Sequence, residues 1–437
     1  MKNLIIILIT LLFSFGYSQE NKSNFTLQEA IDYALENNRN AKNAALDIEA
    51  AVKQKWETTA TGLPQLNATV DYQNALKRNV FVFGDQTIEA GPKQSLTATA
   101  TLSQLLFDGS YLVGLQSAKV FLEISKNAKE KTDLEIRKAV IDAYGNILLA
   151  EESLKILERN ITVLEKNLFD ITKIYENGLE EEESVEQLKI TLSGVKSNMS
   201  NVKRLRDLAY QMFNLTIGKD INAKTELTEN LELLTAQNIS LSLLESKNDV
   251  TNTIDYKIAN NDKTAKELLV KLEKSKGLPR LSAFLNGGYV ANRESFNFTN
   301  TGEKWFGSSL FGVSLNVPIF SSGMRKAATQ RAKINLEKAE INLTETEQQL
   351  KLQIASAKSD YQFAIEDYEN KKENLDLAER IEKKNQTKFF EGIATSFELR
   401  QAQTQLYQAQ NELLQTMLDV ISKKAALETV LNDTSKN

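Results

Sequence analysis

Gly62-Leu63-Pro64-Gln65-Leu66 is the stretch that decides the fold, because it returns about 214 residues later as Gly277-Leu278-Pro279-Arg280-Leu281. Outward from these, Phe107-Asp108-Gly109 opens one long helical tract and Phe320-Ser321-Ser322-Gly323 opens another. Tyr175-Glu176-Asn177-Gly178-Leu179 closes the first tract, and Phe389-Phe390-Glu391-Gly392-Ile393 closes the second. Solenoid repeats run ~20–50 residues, so this period is too long for one. It marks a duplicated half-protein, with a first repeat over 19–230 and a second over 231–437. Each half reads as helix, two strands, very long helix, turn and helix.

After each Gly-Leu-Pro the hydrophobic period switches from 3.6 to 2. Leu66, Ala68, Val70 and Tyr72 alternate with Asn67, Thr69, Asp71 and Gln73. Leu96, Ala98, Ala100 and Leu102 alternate with Ser95, Thr97, Thr99, Thr101 and Ser103. The second half repeats the pattern with Leu281, Ala283, Leu285, Gly287 and Tyr289, and with Phe311, Val313, Leu315, Val317 and Ile319. Strands are expected over about 65–77, 93–106, 280–291 and 308–320, with outer loops at Lys77–Gly91 and Asn292–Lys304. Each is long enough to cross the hydrocarbon layer when tilted, with one apolar face for lipid and one small, polar face for water. Soluble hairpins packed on helices are the alternative. If the strands do cross, four cannot close a barrel, since bacterial barrels need at least ~8 and lipid tolerates no open sheet edge. Three copies of four strands give twelve, so the chain is expected to be an oligomer.

Helices are expected over about 26–61, 109–176, 182–218, 255–276, 323–390 and 395–431. Thr26-Leu27-Gln28-Glu29 is a capping box at the first of them. Leu154, Leu157, Ile161, Leu164, Leu168, Ile171 and Tyr175 recur at steps of three and four, a heptad seam that resumes after Gly178 at Val185, Leu188 and Leu192. At 1.5 Å per residue, the 68 residues from Gly109 to Glu176 make a rod on the order of 100 Å long. A coiled-coil stalk would share this feature.

The composition is that of a folded chain, with 41% hydrophobic and 25% charged residues. A net charge of −5 gives no basic field for nucleic acid. The absence of Cys and His removes thiol nucleophiles, disulfides, thiolate zinc sites and imidazole bases. Carboxylate enzymology remains open in principle, yet no carboxylate pair sits in a context resembling a site, so no catalytic, cofactor or metal residue is assigned. Met1-Lys2-Asn3 followed by the apolar run Leu4–Phe15 and Gly16-Tyr17-Ser18 reads as a secretory signal peptide over 1–18. A buried N-terminal helix is the alternative.

These residues resemble the outer-membrane efflux protein (TolC-like) family. The resemblance rests on Phe25-Thr26-Leu27-Gln28-Glu29-Ala30-Ile31, Ala34-Leu35-Glu36-Asn37-Asn38, Gly62-Leu63-Pro64-Gln65-Leu66 and Leu102-Ser103-Gln104-Leu105-Leu106-Phe107-Asp108-Gly109. Ala143-Tyr144, Leu148-Leu149-Ala150-Glu151-Glu152 and the two Tyr/Phe-x-x-Gly turns add to it. Leu105 departs from the proline common there, which Pro318 keeps in the second half. The resemblance implies an all-α long coiled-coil barrel plus a membrane β-barrel to which each protomer gives four strands, built as a homotrimer of duplicated halves. It implies an exit duct in the outer membrane with a periplasmic extension, serving tripartite efflux or type I secretion as a passive channel. Partners would be a periplasmic adaptor, an inner-membrane pump reached through it, and outer-membrane lipid. A soluble periplasmic scaffold and an adaptor protein are the rival readings.

The resemblance places Gly178, Leu179, Gly392 and Ile393 at the periplasmic tips that meet the adaptor. Glycine suits the left-handed residue ending a helix; the alternative is plain tight turns with Leu179 and Ile393 packed inward. Glu180, Glu181, Glu182 and Glu183 lie beside the first tip. They read either as favourable charge at a helix N-terminus or as a negative ring at the duct entrance. Gly62, Pro64, Gly277 and Pro279 are read as the helix-to-strand junctions.

Overall fold

The structure, a computed structural model, describes residues 23–245, 249–300 and 302–433. The signal peptide expected over 1–18 lies outside the described residues. Strand β1 (Asn24–Phe25) leads into α1 (Leu27–Asn37) and α2 (Arg39–Ala60). Strands β2 (Gln65–Asn74), β3 (Asn79–Phe83), β4 (Gln86–Ala90) and β5 (Gln94–Asp108) follow, then the long helix α3 (Gly109–Glu176) and its return α4 (Glu182–Ile217). Next come β6 (Glu226–Leu227), α5 (Leu231–Gln237), α6 (Leu241–Glu245) and α7 (Ile254–Ser275). Strands β7 (Arg280–Arg293) and β8 (Phe306–Asn316) precede the second long helix α8 (Met324–Phe390) and its return α9 (Ser396–Leu431). The chain divides into two compact units, one of Asn43–Lys131 and Asp249–Lys351, the other of Met1–Lys42, Thr132–Asn248 and Leu352–Asn437.

The first unit holds a four-stranded antiparallel sheet in the order β2-β5-β7-β8. Its central pair, β5 with β7, joins one repeat to the other from Gln94↔Arg293 to Asp108↔Arg280, with a bulge between Leu105 and Phe107. Register puts like residues beside like. Leu66, Leu102, Leu285 and Phe311 form one cross-strand row, and Thr69, Thr99, Gly288 and Ser308 form a row of opposite parity along each strand. Because side chains alternate across a strand, the first row lies on one face of the sheet and the second on the other. Strands β2 and β8 are the two sheet edges. The strand expected over 308–320 ends at Asn316, opposite Arg280, where its partner β7 begins after Pro279, and Pro318 has no N–H with which to extend it. Residues 77–91, expected as an outer loop, contain the β3–β4 hairpin, with Phe83↔Gln86 flanking Gly84 at φ +62°. Helices α3 and α7 are tied by Lys131–Asp255 at 2.7 Å and Lys257–Glu130 at 3.3 Å.

In the second unit the core gathers Phe25, Tyr144, Phe213, Tyr361, Val420 and Leu427, all fully buried. Burying each such side chain contributes about 1.5–3 kcal/mol, and polar tips are satisfied locally. The Tyr144 hydroxyl donates to the Phe25 carbonyl at 3.1 Å, and that of Tyr361 donates to the Asn238 carbonyl at 2.6 Å. Burial pushes the Tyr144 phenol well above its ordinary range, with the Glu229 carboxylate adding to the effect. The capping box at Thr26 is formed, Glu29 reaching back to the Thr26 amide at 3.0 Å. The single helix expected over 26–61 is two helices. Asn38 takes ψ 137°, its side-chain oxygen accepts from the Asn40 amide at 2.7 Å, and its Nδ2 donates to the Thr216 carbonyl at 2.7 Å. The break therefore exchanges one continuous helix for a fresh cap and a link to α4.

A separate cluster joins the hairpin ends within this unit. Leu164 and Ile171 of α3 pack with Val185, Leu188 and Leu192 of α4, and with Phe389 and Leu399 from α8 and α9. Two polar pairs bridge the same helices: Asn160 Nδ2 donates to Gln410 Oε1 at 2.9 Å, and Gln386 Nε2 donates to Asn167 Oδ1 at 3.2 Å.

Candidate functional site

The two helix–helix turns are built alike. Gly178 at φ +73° and Gly392 at φ +75° end α3 and α8, where an L side chain would be strained. Leu179 N donates back to Ile174 O at 3.1 Å, and Ile393 N to Lys388 O at 2.8 Å, closing wide turns of the Schellman type. The residue after each glycine points outward: Leu179 is 78% exposed and Ile393 70%. On the helices that flank the two turns, Ile171, Phe389 and Leu399 are buried together in one cluster.

The turns differ in how the return helix begins. Thr395 caps α9 in a full capping box with Glu398, whose carboxyl these bonds hold below its usual range. Glu181 caps α4 with no side-chain bond. Of the acidic run, Glu180 accepts from Ser184 Oγ at 2.5 Å and Glu183 accepts from Gln187 Nε2 at 2.7 Å. Glu182 and Glu183 lie in the first turn of α4, where the helix dipole favours negative charge.

The junction residues lie between helix end and strand start in both halves. Leu63 N donates to Ala60 O at 3.0 Å and Leu278 N to Ser275 O at 2.9 Å, turning the chain so that Pro64 and Pro279 precede β2 and β7. Gln104 pins the first turn by donating to the Gly62 carbonyl at 2.7 Å. In the sheet, Leu66, Val70, Tyr289, Phe311, Val313 and Leu315 are all exposed. Among the described residues no helix is long and apolar enough to cross a membrane, and none of their acidic groups is clustered so as to hold a metal ion.

Sequence reading missed an aromatic cluster at the far end of the sheet. Tyr72 meets Phe296 and Phe298 edge-on at 5.7 and 6.0 Å, and the two phenylalanines stand 5.4 Å apart. Phe296 and Phe298 lie in the segment read only as an outer loop. Aromatic residues gathered where strands leave the hydrocarbon are a feature of membrane barrels, and the Phe296-Asn297-Phe298 spacing is the signal that could have found them.

Comparison with known proteins follows the same geometry. A family model described as outer membrane efflux protein matches residues 30–218 and 262–433. Outer membrane protein TolC of Vibrio cholerae is 25% identical over 321 residues, covering 70% of this chain and 67% of that protein. The probable efflux pump outer membrane protein TtgC of Pseudomonas putida is 23% identical over 412 residues, covering 93% of this chain and 82% of its own length. The solved structure of CusC superposes with a TM-score of 0.77 at 18% identity, covering 93% of this chain and 91% of that one.

Proposed function

The chain belongs to the outer membrane efflux protein family, and we propose that three copies of it close one barrel between them. The duct it forms is an outer-membrane channel for efflux, with a periplasmic extension. The supporting observation for the trimer is the pair of free edges. Strands β2 and β8 flank the sheet, and lipid cannot satisfy their outward N–H and C=O groups. Every neighbour in the sheet is antiparallel, so β8 runs opposite to β2. One copy's β8 can then pair antiparallel with the next copy's β2, and three copies of four strands give the twelve that a barrel can close.

The remaining assignments rest on the tips. The exposed Leu179 and Ile393 are the right chemistry for a periplasmic adaptor's own apolar residues, with an inner-membrane pump supplying energy through that adaptor. Glu180–Glu183, multiplied by three, would give the entrance a cation-favouring field. The duct is passive, since transport through it needs no chemistry from its wall. Efflux and type I secretion both suit this arrangement.

The test is the mass of the detergent-solubilised protein together with recordings in a planar bilayer. A mass of three chains and stable channels are expected. A monomer that stays soluble in plain buffer and never conducts would overturn the proposal.

A further inference from the structure

The second strand-to-helix junction carries more charge than its repeat counterpart needs. Arg325 and Lys326 occupy the first turn of α8, which holds no acidic residue. The equivalent positions of α3, about 214 residues earlier, are Tyr111 and Leu112. A recess of 330 Å³ brings Arg325, Lys326 and Lys333 of α8 together with Lys274 of α7, alongside Thr329 and Gln330. Glu273 is the one carboxylate in its lining, and it is taken by Lys276 at 2.7 Å. Cations at a helix start oppose its dipole, so this arrangement does not stabilise α8. Arg325 spends part of its guanidinium on the Pro318 carbonyl, at 3.1 Å.

The apolar side of the same junction is equally exposed. Ile319 is 89% exposed and Phe320 84%, both beyond the last residue of β8. Aliphatic and aromatic side chains next to a cluster of cations form the pattern of an interfacial anchor, with rings and chains sunk below the headgroups and cations among them. This junction follows the periplasmic end of a membrane-crossing strand, a placement that rests on the duct reading above.

We propose that Lys274, Arg325, Lys326 and Lys333 bind the phosphate of an anionic phospholipid in the periplasmic leaflet, while Ile319 and Phe320 seat against its acyl chains. Charge complementarity with a phosphate, and the place of Ile319 in the apolar row of Phe311, Val313 and Leu315 rather than on the β8 edge that pairs with the next copy, favour a lipid over a neighbouring copy. A dissolved anion would leave the two apolar side chains without a function.

The test uses the full chain as purified, with lipid retention followed by native mass spectrometry. Dimyristoyl phosphatidylglycerol is compared with dimyristoyl phosphatidylcholine, and inorganic phosphate is added as competitor. K274Q/K326Q/K333Q keeps Arg325 and its backbone bond, and K166Q/K189Q/K203Q, on exposed faces of α3 and α4, serves as control. Each cation near an anionic headgroup contributes roughly fivefold, so the triple variant should weaken phosphatidylglycerol binding on the order of 100-fold. The control should leave it unchanged, and I319S/F320S should shorten lipid retention.

Equal retention of the two lipids overturns the proposal, as does ready displacement of phosphatidylglycerol by millimolar phosphate. Dissociation of the triple variant's oligomer with its lipid preference intact assigns the patch to a neighbouring copy, and also overturns it. Conductance in a phosphatidylcholine bilayer reports separately on the duct. Its survival alongside a failed lipid preference condemns only the lipid site, and its absence in every lipid condemns the duct reading as well.

Discussion

The ring of Tyr111 fills the space that a side chain on Gly62 would need. A Cβ added at Gly62 would lie 2.3 Å from Tyr111 Cζ, and the Tyr111 hydroxyl donates to the Thr59 carbonyl at 3.0 Å. Its counterpart Gly277 meets only the Lys274 carbonyl, at 3.4 Å. Gly62→Ala should therefore displace the ring and cost about 1–3 kcal/mol by overpacking, whereas Gly277→Ala should be close to neutral. Thermal melting of both variants in detergent checks this; equal shifts would show that the packing is not what holds the first junction.

The fold class was legible because its signals are local and doubled. The alternation at Leu66–Tyr72 and the seam at Leu154–Ile171 each state a period, and recurrence about 214 residues on removes accident. What periodicity cannot give is the neighbour. That β5 pairs with β7, and not with β8, is a long-range choice made by the register of whole strands. The break at Asn38 is invisible for the same reason, since its Nδ2 answers to Thr216, 178 residues away. The β3–β4 hairpin was different. Val80-Phe81-Val82-Phe83 before Gly84-Asp85 is a strand-and-turn signal that the reading as a loop passed over. At the tips, sequence could place Leu179 and Ile393 after their glycines, but whether they point out or in depends on how the two hairpins pack.

Gly218 should be the least replaceable of three left-handed glycines. It has φ +88°, and an added Cβ would fall 2.3 Å from the Asn37 carbonyl oxygen. Gly178 and Gly392 have nothing within 4 Å of that position. Alanine at either tip should cost only the left-handed backbone, about 1–2 kcal/mol, whereas Gly218→Ala adds a clash with the backbone at the α1–α2 break. Denaturant midpoints that rank Gly218→Ala equal to the tip variants would refute this ordering.

Glu382 should make the stability of the helical hairpins pH-dependent. Burial raises its carboxyl above the usual glutamate range, and the nearby Gln403 side chain pulls it partway back. A raised carboxyl binds its proton more tightly in the folded chain than in the unfolded one. Stability from this group is thus complete below the unfolded glutamate pKa, and it is lost as pH climbs from there through the raised folded value. Glu382→Gln should melt higher than the parent at neutral pH, with the gain vanishing in acid. A melting difference that stays constant from pH 4 to pH 8 would contradict it.

The acidic run should matter to ions and little to folding. Glu180 bonds to Ser184 and Glu183 to Gln187, both one turn away, so the run ties no distant element together and its part in folding is confined to the start of α4. Changing Glu180, Glu181, Glu182 and Glu183 together to Gln should lower cation preference in single-channel recordings and cost no more than about 1–2 kcal/mol, through the loss of Glu182 and Glu183 from the first turn of α4. Identical conductance and selectivity would reduce the run to a favourable charge at the start of α4.

The tips provide the sharpest separation of function from stability. Leu179 and Ile393 are mostly exposed, so removing their side chains uncovers no core. L179S/I393S should melt within about 1 kcal/mol of the parent, still assemble, and still conduct in a planar bilayer. In cells it should lose export if the proposed apolar contact to an adaptor is made there, because that contact would be gone while the channel remains. Substitution one layer deeper should do the reverse: Ile171→Ala, in the buried cluster with Leu164 and Phe389, should cost about 2–5 kcal/mol. Growth of the expressing strain in the presence of an exported toxic compound, measured beside the melting curves, checks both. If L179S/I393S exports normally, the tips are turns and nothing more.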